Sequence, residues 1–188
     1  MSTADVREIV EIDRFRGLRV AEYDALVATG LLDDEPLELI EGALVRVSPQ
    51  GAGHAEAIRR LVETLAPQVP QGWRLSVQLP LAVGDRSEPE PDVAVVGDAD
   101  YSHAHPTSAV LVVEVSGSSR RVDLGLKARV YAAGGVREYW ALDLAARVLV
   151  VHRAPGSSGY AEVTEHTGVV TSIDPALTLD AAAVLPTA

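Results

Sequence analysis

The sequence predicts an α/β domain in which a mixed β-sheet is flanked by α-helices. Two nearly continuous runs of valine, alanine and leucine, at Asp92–Val96 and Ala109–Ser116, are typical of strands that are buried on both faces of a sheet. A helix predicted over 123–133, with Asp123 as its N-cap, and a strand at Glu138–Leu142 complete a strand–helix–strand unit. Because strands and helices alternate in this way, we expect helices to cover the sheet.

The other elements follow from hydrophobic spacing and turn residues. Residues 1–19 are predicted to form an N-terminal arm and residues 20–188 a single domain, because no repeat or long linker divides the chain. Helical spacing predicts helices at Val20–Thr29 and His54–Ala66, which a glycine and a proline respectively end. The remaining predicted strands are Leu37–Ile40 and Ala43–Ser48 around a Glu41-Gly42 turn, Arg74–Val83, Arg147–His152 and Tyr160–Thr164.

Composition excludes several classes of protein. The 188 residues contain no cysteine, which excludes a disulfide scaffold, an iron–sulfur cluster and a thiol nucleophile. The formal net charge of −11 argues against a protein that coats nucleic acid through a broadly basic surface. No apolar run reaches the length of about 18–20 residues that a membrane span needs, and the first residues do not resemble a signal peptide. We therefore expect a cytoplasmic protein without a membrane partner.

Two carboxylates stand in apolar strands. Asp92 opens one valine-rich run and Glu114 lies near the end of the other. An ionised carboxylate in such a place is costly unless it has a partner, which could be an arginine, a water cluster or a cation. Mg²⁺ prefers one or two carboxylates together with waters and phosphate oxygens. Asp92 and Glu114 are therefore candidate ligands of a divalent metal ion.

The only lysine of the chain, Lys127, lies on the helix that follows the Glu114 strand, whereas the other fifteen basic residues are arginines. Lysine, unlike arginine, can shift its pKa and help to orient or activate water. The i, i+4 spacing of Asp123 and Lys127 is equally typical of an ordinary helix salt bridge. From these residues alone, both interpretations remain open.

An ordered set of residues resembles one known family. The set comprises Pro91-Asp92, Glu114-Val115-Ser116, Asp123, Lys127 with Tyr131, Glu38–Gly42, the Ser48-Pro49 turn with His54, and Gly135–Asp143. From about Val20 to about Arg153, the chain resembles the PD-(D/E)XK nuclease superfamily, in particular its restriction endonuclease branch of the Uma-two type. No single motif carries the resemblance; the order and spacing of the motifs do.

The resemblance implies a restriction-endonuclease-like core and a set of site residues. Asp92 and Glu114 would hold Mg²⁺, or Mn²⁺ in its place, with the carbonyl of Val115 as third ligand. Lys127 would position or polarise the attacking water. Glu38 would be the family's earlier acidic residue, and His54 a helper near the phosphate or the water. The superfamily's lysine two residues after the glutamate is replaced here by Ser116, and Lys127 on the following helix takes its place.

The two carboxylates, the lone lysine and the family resemblance together predict a metal-dependent DNA endonuclease that hydrolyses phosphodiester bonds with a metal-activated water. The expected partners are DNA and a second copy of the chain. Two alternatives keep the fold: an inactive scaffold or homodimeric interaction protein, and a metal-dependent hydrolase of a small phosphate ester. Metal binding and substrate competition would separate the three hypotheses.

Two weaker signals have ordinary explanations beside the functional ones. Arg120 and Arg121 follow a serine-rich loop near the predicted site, where they would contact phosphate or form a solvated pair. His103 and His105 could chelate a metal ion, but their polar, proline-containing loop favours ordinary surface histidines.

Overall fold

The computed structural model of the chain describes residues 16–47, 49–117 and 122–186, with the backbone alone for 122–124. The helices are α1 (Val20–Val27), α2 (Ala52–Leu65), α3 (Ala128–Ala133) and α4 (Ala181–Val184). A 3₁₀ turn (Ala66–Gln68) follows α2, and a π-helical segment (Val122–Lys127) leads directly into α3. No helix among these residues is long and apolar enough to cross a membrane.

The strands form one large sheet and two small ones. The strands are β1 (Leu37–Ile40), β2 (Ala43–Arg46), β3 (Trp73–Ser76), β4 (Val93–Gly97), β5 (Leu111–Ser116), β6 (Glu138–Asp143), β7 (Val148–Gly156), β8 (Gly159–His166), β9 (Val169–Thr171) and β10 (Thr178–Asp180). The six-stranded sheet has the order β3-β4-β5-β6-β7-β8, and β1-β2 and β9-β10 are separate antiparallel pairs. Only β5 and β6 run parallel in the large sheet, while its other neighbours are antiparallel. The predicted mixed sheet with a strand–helix–strand unit is therefore confirmed.

The central strands β4, β5 and β6 of the large sheet are buried on both faces, as the valine-rich runs predict. Val113 and Val115 of β5 pack in the cluster that contains the apolar side of α2. Val112 packs in the opposite cluster, together with residues of α3. Because side chains alternate along a strand, Glu114 shares the face of Val112 and points toward the α3 side. This alternation brings a carboxylate of the sheet next to the helix that carries the lysine.

Several predicted boundaries differ from the structure. The strand predicted at Arg74–Val83 ends at Ser76, because Gln78 has a left-handed φ of 51° and donates its backbone N–H toward Pro91 and Asp92 instead of continuing a ladder. The segment predicted to start with an N-cap at Asp123 is already helical at Val122. The strand predicted at Ala43–Ser48 ends at Arg46, and Ser48 lies outside the described residues.

The C-terminal elements β9, β10 and α4 were not predicted. Their apolar residues Val170, Leu179 and Val184 pack in the cluster on the α2 side of the sheet. Each element is only three or four residues long. So short a segment shows no periodicity that a sequence pattern can detect.

The N-terminal part of the described chain is attached to the domain. Of the predicted arm, residues 1–15 lie outside the described residues. Residues 16–19 pack beside the β1-β2 turn, where Leu18 donates its backbone N–H to the carbonyl of Gly42 at 2.8 Å. The Glu41-Gly42 turn predicted between the two strands has positive φ at both residues, 49° and 83°, as type I′ hairpin turns require.

Candidate active site

A cavity of about 520 Å³ opens where β1, α2, β4 and β5 approach the π-helical segment. Its walls include every residue that the sequence predicts for catalysis or metal binding: Glu38, His54, Asp92, Glu114, Val115 and Lys127. These residues come from five separate parts of the chain, which only the fold brings together. The two predicted phosphate contacts, Arg120 and Arg121, lie outside the described residues.

The Glu114 carboxylate is held by two donors from one helical face. Its Oε1 accepts hydrogen bonds from Lys127 Nζ at 3.0 Å and from the Tyr131 hydroxyl at 2.8 Å. Lys127 and Tyr131 are four residues apart, so successive helical turns present both donors to the same strand. Burial and the adjacent Glu114 carboxylate raise the pKa of Tyr131 well above its ordinary value, which keeps its hydroxyl protonated as a donor.

Lys127 also joins β1 to the site. Its ammonium lies 3.0 Å from Oε1 of Glu38 as well as 3.0 Å from Oε1 of Glu114. The same Glu38 oxygen accepts the backbone N–H of Glu90 at 2.9 Å. Glu38, Glu114 and Lys127 are each at most 6% exposed. A buried lysine thus bridges two buried carboxylates. This arrangement is favoured because each of these charges would be costly to bury without a partner.

Asp92 lies directly before β4 and is held from two sides. Its Oδ1 lies 3.1 Å from Nε2 of His54, near the start of α2, and its Oδ2 accepts the backbone N–H of Val115 at 2.8 Å. Asp92 is 5% exposed. The bond to Val115 links β4 to β5 next to Glu114, which fixes the two predicted metal ligands on adjacent strands.

Negative charge dominates the described walls of the cavity. Glu90 adds a fourth carboxylate to Glu38, Asp92 and Glu114. Burial and the neighbouring Glu38 carboxylate raise the pKa of Glu90. Against these four acids, the described walls contribute only two permanent cations, the buried Lys127 and an arginine at the rim. A phosphate group entering this cavity would need a further positive charge beside it.

The donor set fits a hard divalent cation. Mg²⁺ and Mn²⁺ prefer carboxylate, carbonyl and water oxygens. A carboxylate offers about four lone-pair sites, and Asp92 accepts only two hydrogen bonds among the described residues. Its oxygens therefore retain lone pairs for a cation next to Glu114.

Three residues at this site have no role in the sequence-based prediction. Tyr131 belongs to the family pattern, and its position four residues after Lys127 predicts that it faces the same strand. Glu90 stands in an alternating Glu-Pro-Glu-Pro-Asp run that ends at Asp92, which was an available signal. Arg46 lies at the cavity rim, where its side chain is 73% exposed and pairs with Glu35 at 3.1 Å. Nothing in the local sequence of β2 predicts that position.

Two predictions concern Lys127: its salt bridge with Asp123, and its replacement of the superfamily lysine at the position of Ser116. The side chain of Asp123 lies outside the described part of the structure, so the helix salt bridge with Lys127 stays a prediction. Ser116, at the position where the superfamily has its lysine, is fully buried, and its Oγ has no hydrogen-bond partner among the described residues. Lys127 is therefore the lysine that reaches the carboxylates in the described structure.

Comparisons with known proteins identify a matching family model and a similar solved structure. The family model Uma2, described as "Putative restriction endonuclease", matches residues 20–185. The fold is similar to that of a crystal structure described as "a putative nuclease belonging to DUF820 from Anabaena variabilis ATCC 29413", with a TM-score of 0.67 and 19% sequence identity over 79% of this chain and 89% of that chain. No curated protein matches the chain. At this identity the structural similarity shows the fold alone, and it confirms the predicted restriction-endonuclease-like core.

Proposed function

Since this chain belongs to the Uma2 family, whose model is described as "Putative restriction endonuclease", we propose that it is a metal-dependent DNA endonuclease that hydrolyses phosphodiester bonds. One observation carries the proposal. Three buried carboxylates and the only lysine of the chain line one cavity, and the lysine contacts two of the carboxylates. A structural ion pair would need one carboxylate for one lysine; the excess of acids fits a site that takes up a cation.

The metal ligands in this proposal are the carboxylates of Asp92 and Glu114 and the backbone carbonyl of Val115. Mg²⁺, or Mn²⁺ in its place, supplies neutralisation of the phosphate charge and a lowered pKa of bound water. The protein contributes ligands that are already fixed. His54 and the Val115 N–H hold Asp92, while Tyr131 and Lys127 hold Glu114, so little reorganisation accompanies binding.

Lys127 orients the water that attacks phosphorus. Its ammonium is fixed at the cavity wall by Glu38 and Glu114, both at 3.0 Å. A cation held in this way stabilises negative charge that develops on the attacking oxygen and on the phosphate. Glu38 acts through Lys127 and is a positioning residue. His54 holds Asp92 and lies where it can contact the phosphate or the water.

DNA is the proposed substrate, and the acidic chain limits how it can bind. With a net charge of −11, the protein is not expected to bind DNA tightly without the metal ion. Arg46 at the cavity rim and Arg120 with Arg121 are the proposed phosphate contacts. The proposal includes a homodimer, which light scattering on the purified protein tests, and a cytoplasmic location, where such a nuclease meets DNA.

The deciding experiment combines metal binding with plasmid nicking. We expect wild-type protein to bind Mg²⁺ or Mn²⁺ in a calorimetric titration and to nick supercoiled plasmid in the same buffer. Glu114→Gln keeps an oxygen that accepts the Tyr131 hydrogen bond but loses the charge, so both signals should be lost. Glu165→Gln on the exposed face of β8 is the matched control and should behave as wild type.

Two other outcomes would replace the proposal. If wild-type protein binds no metal ion and cuts no DNA, the carboxylates form a structural network and the chain is a nuclease-fold scaffold. If the protein hydrolyses bis(p-nitrophenyl) phosphate in a metal-dependent way but never cuts DNA, and mononucleotides inhibit it more strongly than duplex DNA of equal phosphate content, it is a small phosphoester hydrolase.

A further inference from the structure

A second group of potential metal ligands lies outside the residues assigned to the candidate active site. It consists of Asp24 on α1, Glu88 between β3 and β4, and His105 between β4 and β5. One oxygen or nitrogen from each side chain lies within 4.8 Å of the other two. Among the described residues, this is the one group of three histidine or acidic side chains that meets this distance.

Glu88 is the buried member of the group. It is 3% exposed, and among the described residues its Oε2 has no hydrogen-bond partner. Its backbone is fixed because its N–H donates to the carbonyl of Leu39 at 2.7 Å. A buried carboxylate oxygen without a donor is costly, and the cost is removed when a cation or a proton occupies the space beside it.

Among the described residues, no N–H or hydroxyl group donates to Oε2 of Glu88. Nε2 of His105 lies 3.8 Å from Oε1 of Glu88, which is too long for a hydrogen bond. Asp24 presents a second carboxylate to the same space. Burial, the charge of Asp24 and a hydrogen bond with the Asp24 carboxyl group raise the pKa of Glu88 to about 7, so that without a metal ion the two carboxyl groups share a proton. The group thus has two acids facing each other and an imidazole close by but not bonded to them.

The separations suit a metal ion. Tetrahedral ligands bound at about 2.1 Å from a zinc ion lie about 3.4 Å from one another. The 3.8 Å between His105 and Glu88 is close to that value. Asp24 and His105 are exposed, so their side chains can make the small adjustment that remains. An imidazole nitrogen with two carboxylates is a ligand set for Zn²⁺ and similar transition-metal ions, whereas Mg²⁺ prefers oxygen ligands alone.

We propose that Asp24, Glu88 and His105 bind a divalent transition-metal ion, with Zn²⁺ as the ion that fits best. The site ties three segments together: α1, the segment that runs from Glu88 to Asp92, and the segment between β4 and β5. Because the second of these segments carries Asp92, the metal ion stabilises one wall of the candidate active site without taking part in the reaction. The proposal does not depend on the proposed nuclease activity.

The test measures thermal unfolding of the full chain after treatment with EDTA. At a Zn²⁺ concentration a hundredfold above Kd, binding to the folded state alone raises Tm by about 5–10 °C for a chain of this size. The same concentration of Mg²⁺ should give a much smaller shift. Co²⁺ provides a second readout, because its visible absorption bands appear when it is bound by nitrogen and oxygen ligands in a site of low symmetry.

Variants locate the ion. Asp24→Asn and His105→Asn change exposed residues, so the folds should be retained, and both should lose the Zn²⁺ shift and the Co²⁺ bands. His103→Asn changes an exposed histidine two residues away in the same segment and should retain both. Glu114→Gln should also retain them, which separates this site from the candidate active site.

Two results would overturn the proposal. One is a wild-type Tm that Zn²⁺ leaves unchanged, which would mean that a proton on Glu88 satisfies the group. The other is a Zn²⁺ shift that persists in His105→Asn but disappears in Glu114→Gln, which would place the ion in the candidate active site.

Discussion

The molecule contains two groups of acids with buried glutamates that are neutralised in opposite ways. Around Lys127, the chain provides its own cation, which lies 3.0 Å from both Glu38 and Glu114. Around Glu88, the imidazole of His105 lies 3.8 Å away, and a second acid, Asp24, adds to the negative charge. The first group is therefore held in place by an internal cation before any metal ion binds, whereas the second depends on a proton or a metal ion from the solvent. Removing a charge should therefore have opposite effects in the two groups.

The largest expected effect is on catalysis at the Lys127 group. Glu114→Gln should lower the rate of metal-dependent plasmid nicking by about 10³-fold or more, because a proposed metal ligand loses its charge where the phosphate must be neutralised. Initial nicking rates at saturating Mg²⁺ measure the effect, with Glu165→Gln as the control. A variant that cuts at the wild-type rate would remove Glu114 from the site.

Lys127→Met should destabilise the fold, because it leaves Glu38 and Glu114 buried together without their shared cation. We expect the free energy of unfolding to fall by about 3–5 kcal/mol, measured by urea denaturation. Adding Glu38→Gln to this variant removes one of the two charges and should restore part of the loss. If the double variant is as unstable as the single one, repulsion between the two carboxylates is not the cause.

Tyr131→Phe removes a hydrogen-bond donor to Glu114 while keeping the aromatic ring in the core. A buried carboxylate that loses a hydrogen bond costs about 1–3 kcal/mol, and urea denaturation measures the change. Tyr160→Phe is a suitable control, since its hydroxyl donates to the carbonyl of Val136 and not to an acid. Equal losses in the two variants would contradict a special role of the Glu114 bond.

The smallest expected effect has the opposite sign. Without metal ions, Asp24→Asn should raise Tm by about 1–3 °C, because it removes a charge that faces Glu88. Asp33→Asn, at an exposed aspartate soon after α1, is the matched control and should leave Tm unchanged. A lower Tm in Asp24→Asn would show that the Asp24 charge stabilises the group even without a metal ion.

The local sequence was sufficient to predict most of the sheet. The runs that form β4 and β5 are so rich in valine that they predict strands buried on both faces of the sheet. A carboxylate in or beside such a run is unusual, which is why Asp92 and Glu114 are conspicuous in the sequence. The lone Lys127 was conspicuous by composition alone. Where the periodicity is short, as in β9, β10 and α4, the sequence predicted nothing because a few residues do not define a period.

The α/β class, the order of the main elements and the residues in unusual positions are therefore evident from the chain alone, because each depends on neighbours along the chain. The contacts between residues that are distant along the chain are seen only in the tertiary structure. Lys127 meets Glu38 across 89 positions, and His54 meets Asp92 across 38. From its local sequence, His105 is predicted to be an ordinary surface histidine. Its position beside Glu88 likewise depends on contacts between distant segments. Such contacts form only when the sheet closes the intervening loops, and no local pattern encodes that closure.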